Sequence, residues 1–231
     1  MQQRTILKAL AVAVALTPAV ASTQSAKPTS ATYITAEEVA TVSALPGVDR
    51  TVRVVEIGNE HFAIGTIHRG ASAPAGGAGR AAGAAAGGAA AGGAGRAGGA
   101  GRAAAAPATR CGVIAIAPAS GGAAGMIAHD SQTEGYLITS GGGTLITGGT
   151  IYNGSQSGPD AEVTTTLNGP SCSGTAYGDV VRKVVKTGDV IVIPAGVPHG
   201  WTDIGDHVDY LSFRPSGQTL TAGYVNPAIK K

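Results

Sequence analysis

The sequence predicts an all-β domain, either a sandwich or a closed barrel, with one short helix near its N-terminal end. The apolar runs are short and are separated at frequent intervals by Gly, Pro or Asp, which is typical of strands joined by turns. Helical segments do not alternate with these runs, and this argues against a βαβ fold. A core of ~150 residues outside the low-complexity stretch is large enough to fold as one domain.

The N-terminal residues are expected to lie outside this domain. Residues 1–21 carry two basic residues, a short apolar run and a final Ala-Val-Ala, a pattern that predicts a removed export signal. The apolar run is shorter than the ~20 residues needed to span a bilayer, so we expect no membrane span after signal removal. Residues 22–31 predict a disordered lead-in. The domain is then expected over 32–231, in a secreted or periplasmic protein.

A low-complexity stretch interrupts the domain at 71–107. It is almost wholly Ala and Gly, with Arg80, Arg96 and Arg102 each closing a GGAGR unit. Because it has no large apolar side chain to bury, we expect a disordered insert. Three charges without an aromatic residue do not favour a nucleic-acid tail. Without the signal the chain carries 14 basic and 14 acidic residues, which likewise gives no case for nucleic acid or an anionic membrane.

The first elements of the domain are a helix and a hairpin. TAEEVATVSAL begins at Thr35, and Glu38 follows three residues later. This is a capping-box pattern that predicts a helix to about Leu45, ahead of a Pro-Gly pair. The runs TVRVVEIG and HFAIGTIHR come next and are separated by Asn59-Glu60. They predict a β-hairpin.

Beyond the insert the pattern predicts only strands and turns. The apolar runs bounded by turn residues are CGVIAIAP, GMIAH, EGYLITS, GTLITG, VVRKVVK, DVIVIP, HGWTDI and HVDYLSFR. With the hairpin they give about ten strands. The glycines Gly141 to Gly143 predict a hairpin turn between EGYLITS and GTLITG. Neither a following helix nor a Lys-Ser or Lys-Thr pair supports a phosphate loop there.

The two cysteines, Cys111 and Cys172, stand 61 positions apart. In an exported chain they could form a disulfide, and in the chain-entropy model a loop of that length contributes ~4 kcal/mol to stability. Two unpaired thiols are the alternative, since sequence spacing alone does not give the distance between them.

Alternation along the strands suggests where chemistry could occur. Ile127 and His129 fall on one face of GMIAHD, and Glu134 and Tyr136 fall on one face of EGYLI. If both faces point into a barrel, His129 and Glu134 meet across the turn between the strands. The Pro- and Gly-rich bend PAGVP would hold His199 beside them. Two imidazoles and one carboxylate form a ligand set typical of non-haem iron and also open to zinc or manganese.

The residues around these candidates resemble the two motifs of the cupin superfamily. The first motif matches at the offsets of Gly121, His129, Glu134 and Gly141. The second matches at Gly188, Pro194, Ala195, Gly196 and His199. The resemblance implies a double-stranded β-helix, or jelly-roll barrel, with one divalent metal (Fe, Mn or Zn) on His129, Glu134 and His199. It also implies a small-molecule ligand, and it makes a homodimer one of the expected assemblies.

Two positions depart from the family pattern. Ile127 stands where many cupins have a first histidine, and Asp203 stands where Asn is common. A site with one ligand fewer binds metal more weakly but leaves a position open for water or substrate. Asp203 is expected to cap a turn.

Two functional hypotheses follow, with a third attached to the insert. The first is an exported metal-dependent cupin of dioxygenase, isomerase or lyase type, with Ile127, Tyr136 and Trp201 as candidates for the substrate pocket. The second is a binding or structural barrel without a functional metal, which Ile127 favours. For Tyr136 and Trp201 ordinary core packing is the alternative, and the insert could serve an interaction module.

Overall fold

The computed structural model describes residues 28–58, 60–72, 109–216 and 221–229. Its elements are α1 (Ala36–Ser43), β1 (Asp49–Glu56), β2 (His61–Gly70), β3 (Arg110–Cys111), β4 (Ala123–His129), β5 (Glu134–Gln156), a π-helix (Val163–Leu167), β6 (Ser171–Lys186), β7 (Val190–Ile193), β8 (His199–Thr202) and β9 (His207–Ser216). The predicted signal 1–21, the lead-in up to residue 27 and the insert from 73 to 107 lie outside the described residues. Within the described ranges no helix has the length and apolar character needed to cross a bilayer.

The predicted helix and hairpin are confirmed. The helix α1 begins after Thr35, whose hydroxyl accepts a hydrogen bond from the backbone N of Glu38 at 3.3 Å. The Glu38 carboxylate accepts from the backbone N of Thr35 at 3.3 Å, which completes the capping box. Strands β1 and β2 pair antiparallel, with Glu56 opposite His61 beside the turn.

The strands form two antiparallel sheets that share β5. The first sheet contains β1, β2, β9, β7 and the first part of β5. The second contains β3, β4, β6, β8 and the remainder of β5. The main core lies between them and takes side chains from both, among them Tyr136, Leu145, Val185 and Tyr210. The expected all-β double-stranded β-helix with one short N-terminal helix is confirmed by this arrangement.

The prediction of a hairpin turn at Gly141 to Gly143 was wrong. These glycines lie inside β5, where the strand leaves β9 of the first sheet and joins β6 of the second. Gly141 has φ +65°, and a Cβ there would lie 2.0 Å from the carbonyl oxygen of His207. Glycine is needed because the backbone bends through a barrel corner against a neighbouring strand. EGYLITS and GTLITG are therefore one strand.

The prediction of a full strand over CGVIAIAP was also wrong. Only β3, Arg110–Cys111, forms there. Gly112 follows it with φ +71°, and a Cβ at this position would lie 2.3 Å from the Ile151 carbonyl oxygen, so the chain turns at once. The segment beyond Gly112 runs over the surface, and Ile116 is exposed. Nor did the sequence analysis predict the π-helix Val163–Leu167.

A second apolar cluster lies on the outer face of the second sheet. It contains Met126, Ala128, Ile146 and Ile151, which alternate with the side chains that point into the main core. Cys172 belongs to this cluster, and Cys111 packs against it. The two cysteines form a disulfide in the structure, which ties β3 to β6.

Candidate metal centre

The three ligands proposed from the sequence meet at one end of the barrel. His129 is the last residue of β4, Glu134 is the first of β5, and His199 is the first of β8. Glu134 Oε2 lies 3.4 Å from His129 Nε2 and 3.2 Å from His199 Nε2. The side chains are buried, with relative exposures of 6%, 2% and 5%. Within the described residues this is the one group of three or more His, Cys, Asp or Glu side chains whose ligand atoms all lie within 4.8 Å of one another; we call it the inner cluster.

The rigid bend before His199 explains how that imidazole reaches the cluster. The bend runs from Pro194 to Pro198, and Gly196 within it has φ +78°. The backbone N of Gly196 donates a hydrogen bond of 2.7 Å to the carbonyl oxygen of His129. The bend is thereby fixed to the end of β4, so the two ligand-bearing segments hold each other in place.

Each imidazole is oriented by a hydrogen bond at its Nδ1 atom. His129 Nδ1 lies 2.7 Å from Ser171 Oγ, and that hydroxyl donates its only proton to the Gly169 carbonyl at 2.8 Å. His199 Nδ1 lies 3.0 Å from the Val197 carbonyl. Because both partners act as acceptors here, both Nδ1 atoms carry a proton. In the neutral imidazoles the Nε2 lone pairs then face Glu134.

The carboxylate of Glu134 is held from both sides. Its Oε1 accepts hydrogen bonds from Asn168 Nδ2 at 2.7 Å, from Ser212 Oγ at 3.3 Å and from Arg214 Nε at 3.3 Å. Its Oε2 accepts one from the Tyr136 hydroxyl at 2.7 Å. Only Oε2 faces the two imidazoles, so the surrounding side chains fix which oxygen is presented to them.

Burial and neighbouring charges act in opposite directions on the ionisable groups. Burial alone would raise the pKa of Glu134, but a hydrogen bond from His129 or His199 when its Nε2 is protonated, together with the charge of Arg214, holds it well below its usual range. Burial lowers the pKa of His129 and outweighs the opposing effect of Glu134. The site therefore presents an ionised carboxylate beside a neutral imidazole, which are the protonation states that bind metal.

The spacing of the donor atoms fits a single transition-metal ion. Donors bonded at ~2.1 Å to one ion lie ~3.0 Å apart at right angles and ~3.4 Å apart at tetrahedral angles. The separations of 3.2 and 3.4 Å from Glu134 Oε2 match these values. Two nitrogen lone pairs facing one carboxylate oxygen repel it, and a single proton can relieve only one of the two contacts. A divalent cation relieves both.

The three pocket candidates from the sequence also lie at the barrel interior. Ile127 is buried and pairs with His199 across β4 and β8. The ring of Tyr136 packs 4.5 Å from that of Tyr210. Trp201 stacks 5.5 Å from Tyr210, and its buried indole Nε1 has no hydrogen-bond partner among the described residues.

Several residues of the site were missed in the sequence analysis: Asn168, Ser171, Ser212 and Arg214. For Arg214 a signal was present, because Val208, Tyr210, Ser212 and Arg214 alternate along β9 and share its inner face. Arg214 is fully buried and forms an ion pair with Asp49. Asn168 and Ser171 follow the π-helix, where no local pattern marks them. Asp203 lies after β8 with φ +52°, a conformation that Asp and Asn tolerate better than most residues.

Two sizeable cavities lie away from the inner cluster. One, of about 490 Å³, is lined by α1–β1, π-helix and C-terminal residues that include Arg50, Thr166 and Tyr224. The other, of about 460 Å³, lies beside the disulfide and is lined by Ile151 and Pro198 among others. Neither is lined by a residue of the inner cluster, so neither is a direct route to it.

The sequence matches no protein-family model and no curated protein. Similar solved structures include a double-stranded β-helix protein from Klebsiella pneumoniae subsp. pneumoniae, with 12% identity, TM-score 0.34 and coverage of 84% of this chain and 99% of the other. A cupin protein from Bacteroides fragilis has 11% identity, TM-score 0.27 and coverage of 74% and 78%. An oxalate oxidase in complex with glycolate has 13% identity, TM-score 0.31 and coverage of 77% and 56%. At such low identities and TM-scores, the fold assignment rests on the strand pairing described above.

Proposed function

We propose that this protein is a metal-dependent cupin that holds one divalent transition-metal ion and binds or transforms a small organic molecule inside its barrel. One observation carries the proposal. The hydrogen bonds of Ser171 and Val197 turn both imidazole Nε2 lone pairs of the inner cluster toward one ionised oxygen of Glu134. A divalent cation placed between these atoms would pair with both lone pairs and with the carboxylate oxygen at once.

Each part of the site has a definite task in this proposal. A bound ion of this type acts as a Lewis acid on a substrate oxygen or takes part in chemistry with dioxygen. His129 and His199 hold the ion, while Glu134 supplies an anionic oxygen. The N–H of Trp201, which has no partner among the described residues, is available to an acceptor atom of a ligand, since a buried donor left unpaired costs ~1–3 kcal/mol. The apolar side chains packed around Trp201 exclude water from this end of the pocket. Dioxygenase, isomerase and lyase chemistry all remain open.

Metal binding can be tested with the single tryptophan as a reporter. Trp201 is the only tryptophan of the chain, and it lies two residues from His199. Chelator-treated protein titrated with Fe²⁺, Mn²⁺ or Zn²⁺ should show a saturable change in its fluorescence, with one ion per chain by elemental analysis. His207→Ala is the matched control, because it removes a histidine outside the barrel. Absence of stoichiometric binding of all three ions would refute the proposal.

A non-catalytic barrel is the second candidate, and two observations favour it. Ile127 occupies a buried position beside His199, and neither described cavity reaches the inner cluster. The two candidates differ in whether the ion keeps an exchangeable position. Water-proton relaxation of the Mn²⁺-loaded protein should show a fast-exchanging bound water for the catalytic candidate and none for the non-catalytic one.

We also propose that the protein is exported. The disulfide Cys111–Cys172 supports export, because disulfides persist in oxidising compartments. The signal-like pattern of residues 1–21 agrees with it. Intact mass of the protein recovered from its native compartment should correspond to a chain that begins near residue 22. A chain that retains its N-terminal segment would contradict export.

A further inference from the structure

We propose that Tyr136 is the fourth protein donor to the metal ion, in place of the histidine that is absent at position 127. This inference rests on the metal-binding function proposed above. Tyr136 lies two residues after Glu134 on β5, so alternation puts both side chains on the inner face. Its hydroxyl already lies at the one carboxylate oxygen that faces both imidazoles.

The distances around Glu134 Oε2 carry the inference. Tyr136 Oη is 2.7 Å from this oxygen, and the Nε2 atoms of His199 and His129 are 3.2 Å and 3.4 Å from it. The two nitrogen distances equal one edge of a coordination polyhedron, which is ~3.0 to ~3.4 Å for donors bonded at ~2.1 Å, and the shorter Tyr136 distance is that of its present hydrogen bond. An ion placed between the imidazoles and Oε2 has the phenol oxygen within reach.

The position of the ring is fixed by packing. Tyr136 is 4% exposed, its ring lies 4.5 Å from that of Tyr210, and its edge contact with His199 is 6.4 Å between centroids. A residue held on two sides in this way loses little further side-chain freedom on binding an ion. To bind the ion, the Tyr136 oxygen needs only to give up its hydrogen bond to Glu134 Oε2.

In the absence of an ion, burial and the neighbouring Glu134 carboxylate raise the pKa of Tyr136 well above its usual range, so the phenol is neutral. A divalent ion would add two positive charges in a place with little access to water. A phenolate oxygen offsets one of them. Ligation breaks the Tyr136 O–H bond, forms a bond between oxygen and metal, and releases one proton to solvent.

The test compares two buried tyrosines in Fe³⁺-loaded protein. Phenolate bound to Fe³⁺ gives a visible charge-transfer band, and its resonance Raman spectrum contains tyrosine ring modes. Wild type should show the band, Tyr136→Phe should lose it, and Tyr210→Phe should keep it. Tyr210 is the matched control because it is also buried and packs against Tyr136, while its hydroxyl accepts from Arg69 Nε at 3.0 Å. Zn²⁺ affinity of Tyr136→Phe should fall about 10-fold or more.

The outcomes separate this inference from the proposed function. If wild type binds one Fe³⁺ per chain without the band, or if Tyr136→Phe keeps both band and affinity, the role of Tyr136 is refuted while the metal function stands. If wild type binds no ion, the proposed function fails and this inference fails with it. Circular dichroism shows whether each Phe variant is folded. Were Tyr136→Phe unfolded, absence of the band from the Fe³⁺-loaded wild type would still refute the role of Tyr136, and persistence of the band in Tyr210→Phe would support it.

Discussion

Two clusters in this molecule have nearly the same composition and very different geometry. The inner cluster joins two histidines and one glutamate inside the barrel. The outer cluster lies at the surface and consists of His68, His207, Asp206, Asp209 and Ser140. Side-chain exposure there is 54% for His68, 34% for His207 and 93% for Asp206. Both clusters combine imidazoles with carboxylates.

The difference lies in where the ring nitrogens point. In the outer cluster His68 Nδ1 pairs with Asp209 at 2.6 Å, while His207 binds Asp206 at 2.6 Å through Nδ1 and Ser140 at 3.0 Å through Nε2. Asp209 also lies between the two rings, but His68 Nδ1 faces its Oδ1 at 2.6 Å and His207 Nε2 faces its Oδ2 at 3.8 Å, so the imidazoles do not converge on one atom. In the inner cluster both Nδ1 atoms are occupied from behind, and both Nε2 atoms face one oxygen. The inner cluster is the candidate metal site because its two Nε2 atoms converge on one oxygen atom, whereas both clusters contain similar types of residue.

The largest expected effect comes from removing a ligand. His129→Ala, Glu134→Ala or His199→Ala should each weaken metal binding by more than ~100-fold, because a small set of protein donors has no spare member. His68→Ala and His207→Ala should leave binding unchanged. Elemental analysis after dialysis measures this directly. Equal metal content in His199→Ala and His207→Ala, both folded, would refute the distinction between the two clusters.

Breaking the buried ion pairs should have the largest effect on folding stability. Arg214 is fully buried between Asp49 and Glu134, so Arg214→Leu leaves two carboxylates without their cation. We expect the free energy of unfolding to fall by ~3–5 kcal/mol. His68→Ala, which removes an exposed pair, should cost ~0–1 kcal/mol. Urea denaturation of both variants checks this, and similar costs would contradict it.

Removing the hydroxyl that orients His129 should have an intermediate effect. Ser171→Ala deletes the acceptor of the Nδ1 proton and should weaken metal binding by ~10–100-fold. Ser140→Ala, the equivalent change beside His207, should not alter it. Isothermal titration with Zn²⁺ compares the two. Unchanged affinity in Ser171→Ala would show that the packing of the ring alone orients it.

Adding a ligand should strengthen the site modestly. Ile127→His places a third imidazole beside His199 on the face that carries His129, and we expect affinity to rise by roughly 10-fold. An imidazole left unsatisfied among apolar neighbours would instead destabilise the barrel by ~1–3 kcal/mol. Affinity and thermal stability must therefore be measured together. A stable variant with weaker binding would show that position 127 does not face the ion.

The smallest effect is the pH dependence of the outer cluster. The hydrogen bond to Asp206 raises the pKa of His207 above 6.5. Burial would raise the pKa of Asp209, but hydrogen bonds from Ser140 and His68 bring it below 3.8. The contribution of protonated His207 to the free energy of unfolding is complete below pH 6.5, and it is lost as the pH rises through the raised pKa of His207. The aspartate contribution is complete above 3.8 and fades as pH falls through the lowered pKa.

Histidine NMR titration tests this directly. The pKa of His207 should exceed 6.5 in the folded protein, and the stability advantage of wild type over His207→Gln should shrink as pH rises above that value. A folded-state pKa below the ordinary histidine value would contradict the expected pairing. Metal stoichiometry measured at the same pH values in His207→Gln serves as the control.

The sequence predicted the three candidate ligands better than it predicted the residues that orient them. Motif spacing predicted that His129, Glu134 and His199 would meet, and they do, because strand alternation and the rigid bend are local properties. Arg214 could have been predicted from alternation along β9, which places its side chain on the inner face, but the sequence analysis did not include it. Ser171 could not be predicted, since its role depends on β6 lying beside β4. The same limit explains the wrong hairpin prediction at Gly141, because the bend of β5 at this residue depends on the neighbouring strand β9.

The most direct test of the central claim is anomalous X-ray diffraction at the absorption edge of the bound metal, on crystals of the Zn²⁺- or Fe²⁺-loaded protein. We expect one strong peak per chain, at ~2.0–2.2 Å from His129 Nε2, His199 Nε2 and Glu134 Oε2, and no peak at the outer cluster. A peak at His68 or His207 with none in the barrel, or a fully loaded crystal without a peak at Glu134, would contradict the account.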